Sequence, residues 1–389
     1  MSRLVIKNGT VVLPDKTVKT NILCENGKIV QVGEVSPADC VVIDAENKIV
    51  TPGLIELHAH GGGGSDFCDL SKEAFENVVK THFKHGVTLI CPTLVSCSFE
   101  NMKKVFGIMR EAKAGEYGFL MDKLHLEGPY LSPAQSGAQR KDIIREPSKY
   151  ETDALMDEAA DIIGKISAAP EVEGVPYLAK KAVEKGIRMS IAHSSATAEE
   201  TKKALDMGFN HITHLYSATT TVRKINDRVC AGILEAAYLY DEFFIELIGD
   251  GRHVAKETMQ MALKIKSSHK INLTSDAMRA AGQDGVLESY LGDICPENRV
   301  IIDDGVAKLP DKSFYAGSIA TGDRMLRNAV LNYDIPLEDA VRMLTLTPAK
   351  MIGADNKKGK IAEGMDSDIV IWNKDFTISD IITTKGLAK

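Results

Sequence analysis

His58 and His60 stand one residue apart in the run Leu54-Ile55-Glu56-Leu57-His58-Ala59-His60. Side chains at i and i+2 of a strand leave the same face, so both imidazoles can reach one point. A lone His-x-His is weak ground for a metal site. It gains weight from four residues that close later apolar runs: Glu127 after Lys123-Leu124-His125-Leu126, His193 at the end of 187–193, His214 at the end of 209–214 and Asp276 at the end of 270–276. Neutral imidazole and carboxylate suit Zn²⁺ or Fe²⁺, and also accept Co²⁺ or Mn²⁺. Glu127, His193 and His214 would make a three-ligand site with a position left for water. His58 and His60 would complete a second site bridged by Glu127, so one or two divalent ions per chain are expected. Such an ion polarises a carbonyl and brings the pKa of water toward roughly 7. Asp276 is then placed to take the proton and pass it to a leaving nitrogen.

These six residues need a frame that gathers strand ends. The runs 54–58, 87–91, 123–127, 162–167, 187–193, 209–214, 243–248 and 270–276 read as strands, with helices between them at 72–85, 99–114, 197–207 and 254–266. Ser71 is the expected N-cap of the first helix and Gly86 its stop. Eight strands alternating with helices predict an α/β fold, a closed (β/α)₈ barrel. Catalytic groups of that fold collect at the C-terminal ends of several strands, where the six candidates fall. The two ends of the chain read differently. Asn8-Gly9 and Asn26-Gly27 separate short apolar runs and signal hairpins; Ile361, Glu363-Gly364 and Asp368–Trp372 repeat the pattern. Residues 1–51 and 350–389 are therefore expected to pair into one small β-sandwich domain, with the barrel spanning 52–349.

Bulk properties narrow the function. A net charge of −7 without a basic run argues against nucleic-acid binding. No stretch approaches 18 apolar residues and the N-terminus lacks an apolar leader, so neither a membrane span nor a signal peptide is expected, and cytoplasm is the default. The seven cysteines (24, 40, 68, 91, 97, 230 and 295) form no CxxC pair and read as free thiols; Cys68 and Cys230 get no nucleophilic role. Gly61–Gly64 lacks the Lys-Ser/Thr of a phosphate loop. His125 and His211 read as core histidines, His82 and His85 as surface or packing residues, Asp66 and Asp69 as solvated loop residues. Arg279 is expected either to meet an anionic substrate group or to lie in solvent.

Taken together, Pro52–Gly61, Leu126-Glu127-Gly128-Pro129, Ala192-His193-Ser194, His214-Leu215-Tyr216, Asp250–Val254, Thr274–Ala277, Ala316-Gly317-Ser318 and Thr347-Pro348-Ala349 resemble, in order and over nearly the whole chain, the N-acetylglucosamine-6-phosphate deacetylases of the amidohydrolase superfamily. The resemblance implies hydrolysis of a small N-acetylated sugar phosphate to the free amine and acetate, in amino-sugar metabolism. It assigns metal binding to Glu127, His193 and His214, a second metal to His58 and His60, acid/base work to Asp276, substrate contact to His253 and a pocket wall to Gly317 and Ser318. It also implies a homo-oligomer, a dimer or tetramer.

Three positions depart from the family pattern. Gln139 stands where a substrate-holding His is usual, Ser217-Ala218-Thr219 where Asn-Ala-Met is usual, and Asn226-Asp227-Arg228-Val229 in place of Arg-Glu-Pro-Gly. Gln carries no charge and Asn lacks the guanidinium fork for phosphate, so Arg223 or Arg228 would have to compensate. Gln139, Ser217 and Ala218 remain candidate substrate contacts. The alternatives are another N-acyl substrate (a different N-acetyl sugar or an N-acyl amino acid), a dipeptidase or cyclic-amide hydrolase, and a non-catalytic scaffold on the same barrel.

Overall fold

The computed structural model describes residues 3–35 and 40–388; Met1 and Ser2 of the N-terminal reading lie outside them. Val87–Leu94 shows why the barrel forms: it carries no charge and is buried along its whole length, as a strand covered on both faces must be. With seven similar segments it makes a parallel sheet in sequence order: β1 (Leu54–Ala59), β2 (Val87–Leu94), β3 (Leu124–Glu127), β4 (Ile163–Ala168), β5 (Arg188–Ile191), β6 (Phe209–Ile212), β7 (Phe244–Ile248) and β8 (Ile271–Thr274). The seam between β8 and β1 is closed by the Asp276 N–H, which donates to the His58 carbonyl at 3.0 Å, and by a parallel bridge between Ala59 and Ala277. Helices wrap the outside. The first, α1 (Lys72–Lys84), is capped by Ser71, whose Oγ accepts from the Ala74 N–H at 3.1 Å.

Two insertions at the mouth were not foreseen. A short hairpin, Arg223–Ile225 with Arg228–Cys230, follows β6. Its turn residues Asn226 and Asp227 both have positive φ, 48° and 64°, the geometry of a tight type I′ turn. A three-stranded sheet (Glu288–Tyr290, Arg299–Asp303, Val306–Lys308) follows β8.

Both chain ends share one eight-stranded sheet. Ile49–Pro52 is its pivot: it pairs in parallel with Arg3–Val12, antiparallel with Ile369–Trp372, and runs through Gly53 directly into β1. Leu4, Ile6, Ile22, Val50, Ile369, Ile371 and Ile382 meet in one apolar core. Asn26-Gly27 turns a hairpin as expected, joining Thr17–Glu25 to Lys28–Gly33. Asn8-Gly9 does not. It lies inside the single strand Arg3–Val12, at a register break between Ile6 and Gly9. The left-handed Asn8 (φ 61°) makes a bulge, and its N–H donates to Asn21 Oδ1 at 3.0 Å. Lys360-Ile361 forms no strand either; Ile361 is instead packed into the sheet's core. The sheet docks closely on the barrel at Gly86, where a Cβ would fall 2.7 Å from the Trp372 ring.

Candidate metal centre

Three of the eight strands stop two residues short of the functional side chain expected to end them. β5 ends at Ile191, β6 at Ile212 and β8 at Thr274, while His193, His214 and Asp276 follow with φ of 44°, 29° and 48°. Left-handed backbone costs a non-glycine residue about 1–3 kcal/mol and gathers at functional sites. Here it bends the chain off the strand and turns each side chain over the barrel axis. His58, His60 and Glu127 arrive from β1, the residue after it, and the end of β3.

The six side chains meet. Glu127 Oε1 lies 2.6 Å from His214 Nε2 and 3.3 Å from His193 Nε2. It is also 3.5 Å from His58 Nε2, while Oε2 is 3.4 Å from His60 Nε2. Asp276 Oδ1 is 3.1 Å from His60 Nε2 and 3.5 Å from His58 Nε2. Two triads result, His58–His60–Glu127 and Glu127–His193–His214, each with ligand atoms within 4.8 Å of one another.

Hydrogen bonds decide which imidazole nitrogens carry lone pairs. His60 Nδ1 donates to the Thr93 carbonyl at 3.3 Å, His193 Nδ1 to the Gln135 carbonyl at 2.7 Å and His58 Nδ1 to Glu246 Oε2 at 3.4 Å. The Nε2 lone pairs of His58 and His60 therefore face each other at 3.2 Å beside two carboxylates. That arrangement repels itself unless positive charge sits among them, so the donor set fits a divalent cation. The two carboxylates demand positive charge at the same place: burial disfavours charge on His58, yet Glu127 and Asp276 outweigh it and push its pKa up to about 10, so a proton there competes with a cation for the Nε2 lone pair. Burial likewise opposes ionisation of Glu127, but His58, His193 and His214 hold its carboxyl well below the usual range. Asp276 is also lowered: burial is outweighed by His58 and His60.

The centre forms the floor of a cavity of about 540 Å³. Of the expected substrate contacts, His253, Ser217, Ala218, Gln139 and Gly317 line it. His253 is oriented by Asp250, whose Oδ2 accepts from Nδ1 at 2.8 Å. Gln139 reaches the centre itself: its Nε2 donates to Glu127 Oε2 at 2.8 Å, and its Oε1 accepts from the Ser96 N–H at 2.9 Å. Ser318 is corrected. It is fully buried behind Gly317; its hydroxyl donates to the Ser275 carbonyl at 2.5 Å and its N–H to the Asp276 carbonyl at 2.7 Å, so it holds Asp276 rather than lining the pocket.

Other expectations also change. Asp66 is buried and accepts from the Gly292 N–H at 3.1 Å. Arg279 forks onto Asp69 at 2.7 and 2.5 Å, so it neither lies in solvent nor faces the cavity. Arg223 donates to the Ser195 carbonyl at 2.8 Å and Arg228 is exposed on the hairpin; neither lines the cavity. His82 is the packing residue of its two readings, buried and bonded to the Gly61 carbonyl at 3.0 Å. His125, between Thr93 and Ser167, and His211, against Phe244, are core residues as read. Sequence reasoning missed Tyr315, which packs its ring 4.7 Å from that of His253, and Lys141 at the rim. It also missed Lys165 and Glu246 beneath His58. Their signal was present: opposite charges in mid-strand of otherwise apolar barrel runs.

Eight parallel strands that deliver imidazoles and carboxylates from their C-terminal ends to one cavity define the class, a (β/α)₈ barrel with a candidate metal centre at its mouth. The amidohydrolase family profile matches residues 49–386. An N-acetylglucosamine-6-phosphate deacetylase of Haemophilus influenzae is 31% identical over 86% of this chain and 85% of its own. An N-acetylgalactosamine-6-phosphate deacetylase of Escherichia coli O157:H7 is 26% identical over 90% of each. The crystal structure of the N-acetylglucosamine-6-phosphate deacetylase from Pasteurella multocida superimposes with a TM-score of 0.91 at 29% identity, covering 98% of both chains. The chain belongs to the amidohydrolase family, a family of metal-dependent enzymes, in the branch that the N-acetylglucosamine-6-phosphate deacetylases represent.

Proposed function

We propose that this protein removes the acetyl group from an N-acetylhexosamine 6-phosphate, N-acetylglucosamine 6-phosphate foremost. The amide C–N bond breaks, a C–O bond forms from water, and acetate and the free amine leave. The observation that carries this reading is the pair of triads sharing Glu127 on the floor of a sugar-sized cavity, with Asp276 beside them. Glu127, His193 and His214 would hold one divalent ion, and His58 and His60, with Glu127, a second; Zn²⁺ or Fe²⁺ suits them best, with Co²⁺ or Mn²⁺ also accepted. The bound ion would polarise the amide carbonyl and acidify water. Asp276 takes the proton of the attacking water and delivers it to the leaving nitrogen. His253, held by Asp250, presents its Nε2 to the substrate. Gln139 steadies Glu127 through its amide.

The phosphate end is the least conventional part. Among the described residues lining the cavity, Lys141 is the single Lys or Arg, so it is assigned the anionic group. A second reading, a substrate without phosphate, is favoured by the sequestration of Arg223 and Arg279 and by neutral Gln139. We assign the chain to the cytoplasm and to a homo-oligomer, a dimer or tetramer. No helix among the described residues is long and apolar enough to cross a membrane. The test is a panel of N-acetylated hexosamines with and without 6-phosphate, beside N-acyl amino acids. Acetate release restricted to the phosphorylated sugars is expected; turnover of N-acyl amino acids alone would overturn the assignment.

A further inference from the structure

Below the metal centre the barrel interior holds a buried ion pair. Lys165 from β4 and Glu246 from β7 are 6% and 0% exposed, with Nζ to Oε1 at 2.5 Å. The other oxygen of Glu246, Oε2, accepts from His58 Nδ1 on β1 at 3.4 Å. Three strands are thus tied through the lumen by one carboxylate whose two oxygens serve two partners. Barrel interiors are ordinarily filled by branched apolar side chains. A buried ion pair is frequently no more stable than an apolar replacement of the same volume. Stability alone therefore does not account for it.

The histidines beside it sharpen the point. His60 and His193 fix their rings by donating Nδ1–H to backbone carbonyls. His58 instead leans on an ionised side chain, and its Nε2 points at His60 Nε2 and Glu127. A carboxylate behind a ligating imidazole sets its tautomer, orients its ring and raises its basicity.

We propose that Glu246 is a positioning residue for the second of the two cations, and that Lys165 keeps its carboxylate aimed at His58. This rests on the metal-hydrolase reading above. Occupancy of the His58–His60–Glu127 site depends on Glu246; occupancy of Glu127–His193–His214 does not.

The test is metal binding by the full chain, equilibrated at graded free Zn²⁺ and followed by elemental analysis, with Co²⁺ absorption spectra as a second readout. The wild type takes two ions. The apolar double variant Lys165→Met/Glu246→Leu keeps the first and binds the second about 10–100-fold more weakly. Lys165→Met/Glu246→Gln, which retains an oxygen acceptor without charge, recovers part of the loss and serves if the apolar variant does not fold. An unchanged second affinity in the variants, an equal loss at both sites, or a wild type that saturates with one ion would each overturn the proposal. A two-ion protein that loses the second ion as described but deacetylates no hexosamine would instead overturn the substrate reading and leave this one standing.

Discussion

The barrel mouth and the terminal sheet are both assembled from segments far apart in the chain, yet they are held together by opposite means. The sheet closes over Ile6, Ile22, Val50, Ile369 and Ile371, a non-directional burial that asks for volume and pattern. The mouth gathers imidazoles and carboxylates whose lone pairs oppose one another at 3.1–3.5 Å, on backbone that has turned left-handed at His193, His214 and Asp276. Its geometry is directional and strained, and it is supported by what lies behind: Ser318 under Asp276, Asp250 behind His253, Gln139 against Glu127. One region supplies stability and tolerates exchange; the other uses stability to hold side chains where they would not otherwise stay.

That contrast can be broken experimentally. The largest effect is expected at the mouth, where Asp276→Asn should cut kcat about 10²–10⁴-fold while leaving metal content near wild type; retained turnover would remove Asp276 from its role. In the sheet, Ile371→Ala should lower unfolding stability by about 2–5 kcal/mol. Denaturant melts would show that loss, while kcat at temperatures well below the transition stays unchanged. A change in kcat as large as that of Asp276→Asn would erase the distinction between the two regions.

Acid should act through the barrel. Burial, the largest cause, pushes the His82 pKa down from 6.5 to about 4, so its imidazole is neutral in the fold. The unfolded chain then binds the extra proton between pH 6.5 and about 4, and stability falls as pH is lowered through that window. The contribution is about 3 kcal/mol at most. His82→Gln retains a donor for the Gly61 carbonyl and should flatten that slope in melts from pH 7 to 4; an identical slope would exclude His82. The smallest effect is expected at the rim. Lys141→Met should raise KM for a phosphorylated substrate several-fold, with kcat unchanged. The difference from wild type should shrink as salt is added, because a rim charge acts through a screened field.

The barrel was legible because its strands carry their burial in composition: runs such as Val87–Leu94 have no polar face to offer solvent. Ser71 and Gly86 marked the ends of α1 for equally local reasons. Asn-Gly was less reliable. The same dipeptide makes a hairpin at Asn26-Gly27 and a bulge at Asn8-Gly9, because positive φ serves both and only the partner strands choose between them. The mouth insertions were invisible for a related reason. Asn226-Asp227 reads as a missing phosphate-binding motif until its two left-handed residues are seen to turn a hairpin.

The sequence by itself determined the alternation of strands and helices, the β-rich character of both chain ends, and the types of the six side chains, since periodicity and donor chemistry are properties of short stretches. Tertiary structure alone decided that Ser318 backs Asp276, that Arg279 is spent on Asp69, and that Lys165 and Glu246 stand beneath His58. The first two pairings depend on which loops meet over the barrel mouth and the last on which inward-facing residues of non-adjacent strands reach across the lumen; loop placement, strand register and closure are all set by the packing of the whole.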